Sequence, residues 1–224
     1  MKKRTIALLM AAVMLFGITV GGTIAWLSDT STVVSNTFTV GDINIVLNET
    51  DIDNDDMTSD NVMVNGVARD QANKYKLVPG NTYIKDPKVT VKAGSEECYI
   101  FIRVDELNNT YEGLGGKIIQ YEINTDDWTA VTGATGVYYY NKNTIDALNA
   151  TSDVFVDSTV LATTSGKEIT INSGLTKTML EAIDKLAEDK EPQIKFTAYA
   201  VQAANMTDAN DAWNKAFGTT TTTP

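Results

Sequence analysis

An all-β fold is predicted, an antiparallel β-sandwich or jelly roll carrying one or two short helices, and three observations predict it. Apolar residues beyond position 37 recur mostly with period two. The periodic runs are short. Turn chemistry separates them, at Asn65-Gly66, Pro79-Gly80, Ala93-Gly94-Ser95, Gly115-Gly116 and Ser165-Gly166. Many short strands split in this way favour two packed antiparallel sheets.

The chain opens differently. Lys2, Lys3 and Arg4 precede a uniformly apolar or small run over 6–20, and Gly21-Gly22 follow as helix breakers. This is the pattern of an apolar N-terminal signal helix. Thr23 and Ala25 place small residues where a signal peptidase requires them, so cleavage is expected between Ala25 and Trp26. An uncleaved anchor is the competing reading, since 6–26 comes to roughly 20 residues, enough to span a bilayer. The run ends in small residues rather than a basic flank, which favours cleavage and a secreted protein. The expected organisation is a signal peptide over 1–25, an N-terminal strand segment over 26–37, a β domain over 38–217 and a Thr-rich, low-complexity tail over 218–224.

Within the domain, 38–47 alternates with a change of phase at Gly41-Asp42, which reads as a β-bulge. In 98–104, Cys98, Ile100, Ile102 and Val104 share one face, with Tyr99, Phe101 and Arg103 on the other. In 193–203, Ile194, Phe196, Ala198 and Ala200 oppose Lys195, Thr197, Tyr199 and Val201. Shorter strands are expected over 83–91, 118–123, 137–140, 153–160 and 168–171. Two segments adopt helical spacing instead. In 176–187, Met179, Leu180, Ile183, Leu186 and Ala187 form one apolar face. In 207–217, Thr207 is the expected cap, Asp208 and Asp211 favour the positive end of the helix dipole, and Trp213, Ala216 and Phe217 fall together.

Composition narrows the chemistry. The 224 residues are 43% hydrophobic, enough for a core, and carry a net charge of −11. Loss of Lys2, Lys3 and Arg4 with the leader takes this to −14. A body so acidic repels nucleic acid. The absence of histidine removes Ser-His-Asp and Cys-His catalysis and every His-containing zinc site. No enzymatic activity and no small-molecule substrate is expected. The single Cys98 has no partner for an internal disulfide and reads as a buried small hydrophobe.

Asp51, Asp53 and Asp55 have the spacing that opens a calcium loop, but Asp56 stands where glycine is required and Val62 where the closing glutamate belongs. A solvated acidic loop is the favoured reading. Weak Ca2+ binding is the lesser one, and no other cofactor is expected. Trp128, Tyr138, Tyr139, Tyr140 and Trp213 could offer a sugar platform, but aromatic residues at such positions more often pack within or along a sheet.

The stretch "GGTIAWLSD", the Ser/Thr/Asn-rich run behind it and "NTFTVGDINI" resemble the leader and mature start of the TasA/camelysin family. These are secreted biofilm-matrix proteins of Gram-positive bacteria with SipW-type signal peptides. The similarity continues in "KLVPGNTYIKDPKVTVKAG", "YIFIRV", "VYYYNK" and "IKFTAYAVQAANMTDANDAW", and is poor over 143–191. The resemblance implies a jelly-roll domain that polymerises into extracellular fibres. It makes 26–37 a donor strand, with Trp26, Leu27, Val33, Val34 and Phe38 as assembly residues. Its implied partners are copies of the chain, other matrix proteins and a SipW-type signal peptidase. A free Thr/Val-rich strand is physically suited to this role, because it can add to an exposed sheet edge through main-chain hydrogen bonds. Pairing of 30–38 within its own subunit is the alternative, and a monomeric surface adhesin the alternative function. The camelysin name also carries a metallopeptidase attribution, which a chain with no H-E-x-x-H motif does not support. A type IV pilin is not expected either, since no Glu lies near the start of the apolar run.

Overall fold

A computed structural model describes residues 28–31, 42–52, 62–64, 67–70, 73–156, 159–162 and 168–218. In chain order the described elements begin with β1 (Ser28–Ser31), β2 (Ile45–Thr50), β3 (Val62–Val64), β4 (Val67–Asp70), β5 (Thr82–Ile84), β6 (Lys88–Val91) and β7 (Cys98–Leu107). There follow β8 (Ile119–Gln120), β9 (Glu122–Ile123), β10 (Trp128–Ala130), β11 (Val137–Tyr140), β12 (Val154–Phe155), β13 (Leu161–Ala162) and β14 (Glu168–Ile171). Helix α1 (Lys177–Ile183), β15 (Gln193–Gln202) and α2 (Ala209–Phe217) complete them. The protein is mostly β, with antiparallel sheets and two short helices.

One five-stranded sheet has the order β1-β15-β7-β11-β10 and another β12-β6-β2-β4-β3. Two smaller sheets, β5-β14-β8 and β13-β9, complete the set. The β7–β15 pair is the backbone of the first sheet, with register running from Gln193 opposite Leu107 to Gln202 opposite Cys98. Its alternation is as the sequence predicts. Cys98, Ile100, Ile102, Ala198 and Ala200 face a core shared with Ile43, Ile45, Val89 and Val91 of the second sheet region. The opposite face is covered too. Phe101, Tyr199 and Val201 pack beneath α2, with Trp213 at 5.2 Å from the Phe101 ring and 5.3 Å from that of Tyr199.

Several expectations are corrected. The cap of α2 is Asp208, whose carboxylate accepts the Asp211 N–H at 2.9 Å, while Thr207 donates its own N–H to Asp211. Helix α1 is capped by Thr176 and ends at Ile183, so the apolar stripe stops there and Leu186 is left 44% exposed. The predicted strand over 83–91 is two strands in different sheets, because Lys85 and Asp86 turn into buried ion pairs and Pro87 has no N–H to donate. The run over 118–123 divides at Tyr121, β8 joining β14 and β9 joining β13. Of 153–160, the described residues place Val154 and Phe155 in a strand. Most of the bulge expected near Gly41 lies outside the described residues, and β2 begins at Ile45. The hairpin β3–β4 and strand β10 were not foreseen.

Candidate functional site

Among the described residues, the two edges of β15 are paired to different extents. One is paired with β7 along its whole length. Among the described residues the other is paired with β1 alone, Ser28 to Ser31 standing opposite Val201 to Ala198. The N-terminal strand thus adds to the sheet from outside, and it does so within the chain. β1 also approaches β2 of the second sheet. The expected assembly residues Trp26, Leu27, Val33, Val34 and Phe38, and the cleavage residue Ala25, lie outside the described residues.

Residues 193–196 of β15, farther along the strand than the four residues opposite β1, form part of the wall of a groove of about 1230 Å3. Leu47, Tyr75, Ile171, Ile183, Ile194 and Phe196 supply its apolar lining. Lys74, Lys76, Glu181 and Asp184 are charged residues on its lining, exposed to solvent. The positions are set by local chemistry: α1 brings Ile183 over the groove because its Thr176 cap satisfies the Met179 N–H and fixes where the helix starts.

Two ion pairs lie buried beside this groove. The Arg69 guanidinium meets the Asp86 carboxylate at 2.9 Å and donates to the Asn48 side chain at 2.7 Å and to the main-chain oxygens of Asn48 and Asp86 at 2.9 Å each. Asp86 also accepts the Thr50 N–H at 2.6 Å and the Thr50 hydroxyl at 2.9 Å. Next to it, Lys85 Nζ lies 2.7 and 3.0 Å from the two Glu49 oxygens, under the rings of Tyr75 and Phe196 at 5.2 and 5.4 Å. Charges so enclosed persist only when paired and hydrogen-bonded, and here they are. Sequence reasoning missed both pairs. The available signal was charge embedded in strand-like text, at "LNET" and "IKDPKV".

Of the calcium candidates, Asp51 is half-buried just past β2, while Asp53 and Asp55 lie outside the described residues. Among the described residues no group of three or more His, Cys, Asp or Glu could hold a metal ion. Trp128 and Trp213 are buried in the packing, leaving the half-buried Tyr138, Tyr139 and Tyr140 nearer the surface. Cys98 is fully buried, with its thiol pushed up to about 12 by burial and then by the neighbouring Glu97 charge. No family model, curated protein or solved structure matches the chain.

Proposed function

We propose that this protein is a secreted structural subunit that polymerises into extracellular biofilm-matrix fibres, copies being joined by addition of the N-terminal strand of one to the sheet of the next. On this reading the two-sheet body is a jelly roll of the TasA/camelysin type, and its role is assembly rather than catalysis. The observation that carries the proposal is the placement of β1 on the edge of β15 opposite the one that β7 fills. A strand bound there satisfies a row of main-chain groups and leads toward an apolar groove. Burial of a few apolar side chains at ~25 cal/mol per Å2 supplies several kcal/mol before ordering costs.

In the fibre, the edge that β1 occupies within one chain is filled by the strand of a neighbour. A SipW-type signal peptidase frees that strand by cutting between Ala25 and Trp26, and other matrix proteins are further partners. The second reading is a monomeric surface adhesin, and the pairing of β1 within its own chain is what favours it. Electron microscopy of secreted protein, with sequencing of its N-terminus, separates the two. Fibres built from chains beginning at Trp26 are expected. Monomers at every pH and concentration would leave the adhesin.

A further inference from the structure

We propose that Lys85 and Asn73 form an intramolecular isopeptide bond, with Glu49 carrying the protons. The three side chains are held in one arrangement. Glu49 Oε1 accepts from Lys85 Nζ at 3.0 Å and from Asn73 Nδ2 at 3.0 Å, so one carboxylate oxygen bridges a nucleophile and a carboxamide. The second oxygen holds Lys85 at 2.7 Å. Asn73 is fixed on its other side, where its Oδ1 accepts the Ile52 N–H at 2.8 Å and its Nδ2 donates to the Thr50 carbonyl at 3.0 Å. Lys85 and Glu49 are buried, and the rings of Tyr75 and Phe196 lie against the ammonium.

Each group has a role in amide formation. Proton transfer from Lys85 to Glu49, along the hydrogen bonds that join them, leaves a neutral amine and a neutral acid. The amine lone pair attacks Asn73 Cγ, forming the new C–N bond and moving the carbonyl electrons onto Oδ1. The Ile52 N–H already points at that oxygen and stabilises its developing charge. Glu49 delivers its proton to Nδ2, the old C–N bond breaks, and the nitrogen leaves as ammonia. The new amide nitrogen loses its remaining extra proton to Glu49, which passes it to the ammonia. The balance is an ammonium and a carboxamide converted into a secondary amide and an ammonium ion, with no oxidant, metal or external reactant. Holding the amine and the carboxamide on one carboxylate oxygen can replace a catalyst, since fixed neighbours react as though at very high concentration. The product ties the segment before β5 to the segment after it, beside the groove.

Intact-mass spectrometry of the full chain as purified, followed by proteolysis, tests the proposal. The expected result is a mass lower than the sequence by one ammonia and a branched peptide joining residues 73 and 85. Glu49→Gln should restore the full mass. Asn73→Asp should lose one water in place of ammonia. A folded wild-type chain with its full sequence mass would overturn the proposal. So would an ammonia loss that survives Lys85→Arg, since that marks a succinimide instead. The branched peptide is read from the wild-type protein, so the outcome does not depend on any variant folding.

Discussion

Thr30 stands directly opposite Tyr199, in an antiparallel pair that ties the beginning of the described chain to its last strand. The pairing covers four residues of β1, and a net gain of about 0.5–1.5 kcal/mol per hydrogen bond makes it a modest attachment. The core is built between other strands: Cys98, Ile100, Ile102, Ala198 and Ala200 meet residues of β2 and β6. Deleting 26–36 from the mature protein should therefore leave a folded domain that does not polymerise. Circular dichroism should show an unaltered β signal while electron microscopy shows no fibres.

Asp86→Ala should destabilise the domain by about 3–5 kcal/mol, because it leaves the Arg69 guanidinium buried without its carboxylate. A paired replacement by apolar residues, Arg69→Leu with Asp86→Leu, should cost less than the single change. Urea unfolding of the three proteins measures the difference. Equal losses would mean that the ion pair is not the source of the effect.

Cys98 should react with a thiol reagent only when the protein unfolds. Its thiol is pushed from 9.0 up to about 12, by burial first and the Glu97 charge second. The sign follows from the raised value: the folded state holds this proton more tightly than the unfolded chain. The stability it contributes is intact below 9.0 and is lost as pH rises from there towards about 12. Unfolding midpoints of wild type and Cys98→Ala across that window should converge as pH rises.

Gly136→Ala should cost about 1–3 kcal/mol. The residue sits at φ +73°, and an added Cβ would lie 2.8 Å from the Val104 carbonyl oxygen. Gly94→Ala meets nothing within 4 Å at a similar φ of +87°, so only the backbone penalty of about 1 kcal/mol remains. Thermal melts should rank the two in that order.

Much of the fold was legible because the middle of β7 and the second half of β15 are covered on both faces by different partners, so most residues of that alternation are under constraint. The breaks were harder to see. Period-two spacing runs on through Lys85 and Asp86, and what ends the strand is an ion pair to Glu49, 36 residues away, and another to Arg69, 17 residues away. Likewise the stripe through Leu186 is helical in spacing, but α1 ends before reaching it. The Asn73–Glu49–Lys85 arrangement carries no local motif. It exists only where β2, the segment before β5 and the segment after β5 converge, and that convergence is a property of the tertiary structure.

Whether β1 joins different chains is tested most directly by cross-linking within assembled protein. Chains carrying Asp29→Cys and chains carrying Ala200→Cys, positions that stand opposite each other, would be mixed before assembly and oxidised afterwards. The buried Cys98 does not compete. A disulfide joining positions 29 and 200 can then arise only between molecules. Fibres are expected to yield this link in quantity. Fibres that contain both chains and yield none of it, while a single chain carrying both substitutions links to itself, would contradict strand exchange as the basis of assembly.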